Sequence, residues 1–161
     1  MGVEEFASRL AQFRLVVLDS MVFIYHFEDH PVFADLTQQV FERMEEGVIR
    51  SLASAICLTE IYSAPLQKKQ ASLLEEYKLV FDTYPNLSLV PVTAEIAEEA
   101  AVLRAKYRIR APDAIHLATG LVHSAEALIS NDGSLRAVGE LPVLLLSDFA
   151  ETGEQQAHGQ R

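Results

Sequence analysis

A single cysteine, Cys57, stands among 161 residues, so no disulfide can form within the chain. The fold must then rest on an ordinary core, and the thiol suits a reducing compartment. Positive charge is also scarce. Thirteen Lys and Arg face 23 Asp and Glu, for a formal net charge of −10. That excludes a protein that coats nucleic acid through a broad basic surface. It leaves room for an enzyme whose own acids hold a metal, because the ion reverses the local sign. A basic partner peptide would be attracted as well. No apolar run approaches the length needed to span a bilayer. The segment Met1–Gln12 carries Glu4, Glu5 and Arg9 and lacks the apolar centre of a signal peptide. The expectation is a cytoplasmic protein that makes no use of a membrane.

Half of the residues are hydrophobic and 22% are charged, which is ordinary for a globular protein. The length suits one domain with a full core. We expect that domain over residues 1–149, followed by a polar tail at 150–161 that lacks periodicity.

The pattern within the domain alternates. Leu15–Leu18 is a short continuous apolar run with β-branched members, the mark of a strand buried on both faces. An apolar helix follows over Met21–Phe27, then a helix over Val32–Glu46 stopped by Gly47. Val48–Ala53 is a weaker strand. A helix from Ala55 to about Ala64 is expected to end at Pro65, and another runs over Lys68–Tyr84. Leu87–Val90 is a third strand. Thr93 caps a helix with Ile96, Ala100, Leu103 and Tyr107 along one face. Pro112 opens the next helix, which runs to about His123. Ala127–Ser130 and Pro142–Leu146 read as strands flanking a short helix at Asp132–Val138. Alternating strands and helices predict an α/β fold: a three-layer α/β/α sandwich around a mostly parallel sheet of about five strands.

Candidate chemistry lies at the element ends. Asp19 directly follows the first strand, where open α/β sheets bind ligands. Glu60 lies in the helix after the second strand, Asp113 in the first turn of its helix, and Asp132 just after the fourth strand. Each of the last three also has a plain structural role open to it: exposed helix glutamate, helix-start acid, and turn residue before Gly133. Asp19 differs, because a carboxylate after a buried strand needs partners. Acids gathered at one sheet edge repel one another, and a hard cation such as magnesium or manganese resolves the conflict. Such a site suits phosphodiester hydrolysis by a metal-activated water.

Four segments then resemble, in order and spacing, the motifs of the PIN-domain ribonucleases. They are Val17-Leu18-Asp19-Ser20-Met21-Val22-Phe23-Ile24-Tyr25, Leu58-Thr59-Glu60-Ile61, Pro112-Asp113-Ala114-Ile115-His116-Leu117-Ala118-Thr119, and Ile129-Ser130-Asn131-Asp132. Within that superfamily the chain is most similar to the VapC-type toxins of bacterial toxin–antitoxin pairs, over roughly Arg14 to Phe149. The resemblance implies Mg2+ or Mn2+ dependence, an RNA substrate, a homodimer and a cognate antitoxin. It also places the family's acidic quartet on Asp19, Glu60, Asp113 and Asp132. On that scheme Asp19 and Asp113 bind the metal, Glu60 orients a ligand or water, and Asp132 completes the pocket. Ser20, Asn131, Arg110 and His116 are candidates for substrate or supporting contacts.

The first motif departs from the family. Many members have Asn two residues after the acid, where this chain has Met21, and a thioether cannot replace a donor amide. That departure favours an alternative, a PIN-fold module that binds without cutting. Phosphatase-like and receiver-like α/β proteins are weaker alternatives. The former wants an acid at position 21, and the latter wants a late lysine, yet no lysine follows Lys106. Of the remaining residues, Cys57 reads as a small buried apolar side chain. His116 reads foremost as a half-buried helix residue. Arg104, Lys106, Arg108 and Arg110 form the one basic cluster near the proposed site.

Overall fold

The computed structural model describes residues 2–150. The expected tail, beyond Ala150, lies outside the described residues. Five strands, β1 (Leu15–Leu18), β2 (Arg50–Ser54), β3 (Leu87–Val90), β4 (Ala127–Ser130) and β5 (Val143–Leu145), form one sheet. Its order is β3-β2-β1-β4-β5 and every pairing is parallel.

The all-apolar β1 is explained by cover on both faces. Side chains alternate across a strand, so Val16 and Leu18 enter one core and Val17 the other. In β4, Ala127 and Ile129 join the first core and Leu128 the second. Over the first face lie α1 (Gly2–Leu10), α2 (Ser20–Phe27), α3 (Ala34–Glu45), α4 (Ile56–Gln67) and α5 (Ala71–Thr83), contributing Phe6, Phe23, Phe41, Ile61 and Tyr77. Over the second lie α6 (Ala94–Tyr107) and α7 (Ala111–Val122), contributing Ile96, Leu103, Ala114 and Leu117. This is the three-layer sandwich expected from the alternating pattern.

Several boundaries differ from the sequence reading: α3 starts at Ala34 rather than Val32, β2 spans Arg50–Ser54 rather than Val48–Ala53, and three further differences bear on how the helices end and start. Pro65 does not end α4, which continues to Gln67. A proline in the last turn removes one N–H but leaves its own carbonyl, which accepts from Gln70 N at 2.8 Å. The following helix starts at Ala71 rather than Lys68, because Lys69 takes a left-handed φ of 54°. The segment after Asp132 is a 3-10 turn over Gly133–Ala137. Thr93 caps α6 as expected, its side chain accepting from Ile96 N at 3.3 Å.

Strand order reverses between β1 and β4. The chain steps from β1 outward through β2 to β3, then crosses under α6 and α7 to β4 on the other side of β1. The crevice at the carboxyl ends of two such strands is where open sheets take ligands. One residue lets α7 lie close on the sheet. A Cβ on Gly120 would stand 2.9 Å from both Leu141 Cδ2 and Val17 Cγ2. Alanine at 120 gains about 1 kcal/mol of helix propensity but incurs an overpacking cost of about 1–3 kcal/mol. Gly120→Ala is therefore expected to lower unfolding free energy by about 1 kcal/mol in urea titrations. A stabilised variant would show that α7 has room to move.

Candidate active site

The two central strands end side by side. The register pairs Leu18 with Ile129, so the next residues, Asp19 and Ser130, are neighbours at the switch point. Asp19 precedes α2, yet its side chain makes no cap bond to that helix. Instead its carboxylate accepts from Ser130 Oγ at 2.6 Å and from Ser20 Oγ at 3.2 Å. With 6% exposure it would be costly without those two donors.

The other acids converge on the same hollow, a cavity of about 430 Å³ lined by Asp19, Glu60, Asp113 and Asp132 together with Ser20, Met21, Tyr25, Arg110 and Asn131. Asp113 is buried in the first turn of α7. Burial pushes its carboxyl above the ordinary range, with Asp19 and Asp132 adding to that push. Arg110 opposes it through bonds of 3.0 Å from Nε and 3.4 Å from Nη2. Arg110 also stands 3.8 Å from Asp132, so one exposed guanidinium spans two of the acids. Asp132 accepts from Ser134 N at 2.9 Å. Burial raises its pKa, but the Ser134 bond and Arg110 outweigh burial and leave it below the usual value. The hollow is thus an acidic cavity partly neutralised by the chain's own arginine.

Two residues do more here than their sequence context indicated. His116, read as half-buried, is 1% exposed. Its Nε2 lies 2.8 Å from Glu60 Oε1 and 3.6 Å from Asp19 Oδ1, while its Nδ1 has no partner. It comes three positions after Asp113, so both fall on one face of α7; that spacing was the available signal. Ser130 is the second. A hydroxyl closing an apolar strand is unremarkable until the register sets it beside Asp19. The basic cluster, by contrast, mostly points elsewhere. Arg104 donates to Ile109 O at 3.3 Å and Lys106 to Glu140 at 2.6 Å, leaving Arg110 as the member that lines the hollow. Asn131 lines it too, and its amide ties the site together, donating to Tyr25 Oη at 3.3 Å and accepting from Ser147 N at 2.9 Å.

The buried imidazole has a consequence for pH. Burial works against the charged ring, but the Glu60 bond and the charges of Asp19, Glu60 and Asp113 prevail and raise the His116 pKa above 6.5. A raised folded value means that protonation favours the native state. That contribution is complete below the unfolded pKa of about 6.5 and is lost as pH climbs through the folded value. Urea titrations of metal-free protein should show stability falling over that interval, and His116→Gln should flatten the trend. An unchanged slope in the variant would remove His116 as its source.

The acidic hollow meets a test for a hard divalent ion. Its donors are carboxylate and hydroxyl oxygens, and a cation, Arg110, already offsets part of the burial that pushes the Asp113 carboxyl up. Asp19, Asp113 and Asp132 do not form a tight cage. Among the described residues, the set of His, Cys, Asp or Glu donors within 4.8 Å of one another is Cys57, Glu60 and His116. A looser ring of acids still suits magnesium, which keeps several of its waters and takes one or two carboxylates directly.

Comparison with known proteins bears on the fold and the family. The family model described as PIN domain matches residues 16–141. No curated relative matches the sequence. Among solved structures, a toxin–antitoxin complex from Klebsiella pneumoniae aligns with a TM-score of 0.63 at 20% identity, over 81% of this chain and 97% of that one. VapBC2 from Rickettsia felis, bound to a DNA fragment from its promoter, aligns at 0.66 and 17% identity, over 81% and 98%. DNA-bound VapBC from Salmonella typhimurium aligns at 0.58 and 15% identity, over 83% and 98%. At these identities the likeness is one of fold.

Proposed function

This chain belongs to the PIN domain family, and we propose that it is a metal-dependent endoribonuclease serving as the toxin of a toxin–antitoxin pair. The observation that carries the reading is the convergence of Asp19, Glu60, Asp113 and Asp132, from four separate segments, on one hollow at the switch point of the sheet. Asp19 and Asp113 are the residues we assign to hold Mg2+ or Mn2+. When bound, such an ion polarises the phosphate and supplies a nucleophilic water at neutral pH. The chain's own groups do the rest. Ser130 and Ser20 fix the rotamer of Asp19 by donating to its two oxygens. His116 holds Glu60 against the floor of the hollow, where Glu60 orients a water or ligand. Asp132 completes the negative wall. Arg110 is exposed enough to leave Asp113 and meet a backbone phosphate, which positions RNA without reading its sequence.

A cytoplasmic setting and an antitoxin partner belong to this reading, and one structural neighbour is described as a toxin–antitoxin complex. No helix among the described residues is long and apolar enough to cross a membrane. Leu66 and Leu79, about 60% exposed on α4 and α5, support a contact between two copies, as in the homodimer we propose.

The test is cleavage of pooled RNA. Fragments should accumulate with Mg2+ or Mn2+, stop when a chelator is added, and resume when the ion is restored. Met21 favours a second reading, a PIN module that holds RNA or a partner without cutting, because its thioether lines the hollow and offers no strong donor. Binding of RNA with no metal-dependent fragments would select that second reading.

A further inference from the structure

The donor set beside the hollow differs from the one within it. Cys57 and Glu60 lie three residues apart on α4, so both occupy one face of that helix. His116 reaches them from α7 across the site. One donor atom from each of the three lies within 4.8 Å of the other two. In a tetrahedral zinc site with metal–ligand bonds of about 2.0–2.3 Å, neighbouring donors stand about 3.3–3.8 Å apart. His116 Nε2 and Glu60 Oε1, 2.8 Å apart, would separate slightly as they lose their hydrogen bond to the ion. A fourth donor is already near, since Asp19 Oδ1 is 3.6 Å from the same histidine nitrogen.

We propose that Cys57, Glu60 and His116, with Asp19 available as a fourth ligand, form a binding site for a thiophilic divalent ion of the zinc type. The site goes beyond the nuclease reading and does not depend on it. Thiolate and imidazole select zinc-like ions, whereas magnesium takes oxygen ligands and dehydrates reluctantly. The two metals are therefore sorted by ligand chemistry at adjoining positions, with Asp19 the carboxylate that stands between them. Cys57 is fully buried, and its thiol makes only a long 4.0 Å contact to Leu18 O. Burial, aided by the charges of Asp19 and Glu60, holds that thiol protonated well above its ordinary range. Metal binding must displace the proton: the S–H bond breaks, the S–metal bond forms, and the proton leaves to solvent. The Nε2 proton that faces Glu60 is lost in the same way as the ring ligates. Affinity therefore rises with pH. The ion enters through the hollow, where the Glu60 side chain is 27% exposed.

One feature makes the test clean. The chain contains a single cysteine, so a thiolate-to-metal signal has one source. Co2+ added to the intact, reduced protein should produce a thiolate-to-cobalt charge-transfer absorption in the near ultraviolet that saturates at one equivalent. Stoichiometric Zn2+ should bleach it, and Mg2+ should not. Cys57→Ser, checked for folding by circular dichroism, should lack the band. It should also bind Zn2+ at least about tenfold more weakly, the loss that even an outer-shell change causes. His116→Gln retains the thiol and should weaken Zn2+ binding as well, which keeps the test decisive if the serine variant does not fold. Wild-type protein that shows no such band at saturating Co2+ overturns the site, as does equal Zn2+ affinity in wild type and the variants. RNA cleavage plays no part in these readouts, so the site and the nuclease reading stand or fall separately.

Discussion

Asp19→Asn is expected to reduce Mg2+-dependent RNA cleavage by about a thousandfold or more, which corresponds to roughly 4 kcal/mol of transition-state stabilisation. The substitution removes a negative charge at the point where β1 and β4 end together. It replaces one carboxylate oxygen with an amide nitrogen that can only donate. The fold should survive. Ser130 and Ser20 both approach Asp19 through hydroxyls, and a hydroxyl can rotate to accept as readily as it donates. The change in unfolding free energy should stay within about 1–2 kcal/mol, the scale of one buried hydrogen bond rearranged. The informative comparison is cleavage rate beside urea midpoint for the same preparation. A variant that folds and still cuts with Mg2+ would remove Asp19 from the machinery and with it the metal scheme.

Phe23→Ala is expected to be the most damaging core substitution, lowering unfolding free energy by about 3–5 kcal/mol. Phe23 is fully buried on α2. Its ring centroid lies 4.9 Å from that of Phe81 and 5.7 Å from that of Phe41, so it joins α2 to α5 and α3 at once. Truncation opens a cavity between three helices that cannot all close on it. A domain of this size has about 5–15 kcal/mol in total, so the loss is a large share. It also reaches the site, because α2 starts at Ser20 and carries Met21 and Tyr25 along the wall of the hollow. Val102→Ala serves as the control. That valine is 60% exposed on α6, and its truncation should change stability by no more than about 0.5 kcal/mol. If the two variants unfold at the same urea concentration, Phe23 is not the keystone of this face.

These two residues illustrate what was legible at different levels. Phe23 sits in an apolar stretch whose burial any hydropathy pattern declares, but its particular neighbours belong to helices 18 and 58 residues further along the chain. Local boundaries were misread where one residue's backbone decided the matter. Pro65 fits within the final turn of α4, and Lys69 adopts a left-handed φ that postpones α5. Neither outcome is encoded in apolar spacing, because both depend on where the next helix must dock.

The succession of strands and helices, the double-sided burial of β1, the Thr93 cap and the four acids at element ends were all determined by sequence alone, because each follows from chemistry within a few residues of chain. Only the tertiary structure decided which distant groups meet. Parallel pairing of Leu18 with Ile129 sets Ser130 against Asp19. The packing of α7 against β1, β2 and β4 brings His116 to Glu60 and Cys57. Hydrogen bonds and charges act over a few ångströms, and no spacing in one dimension reveals which side chains a folded sheet will bring that close.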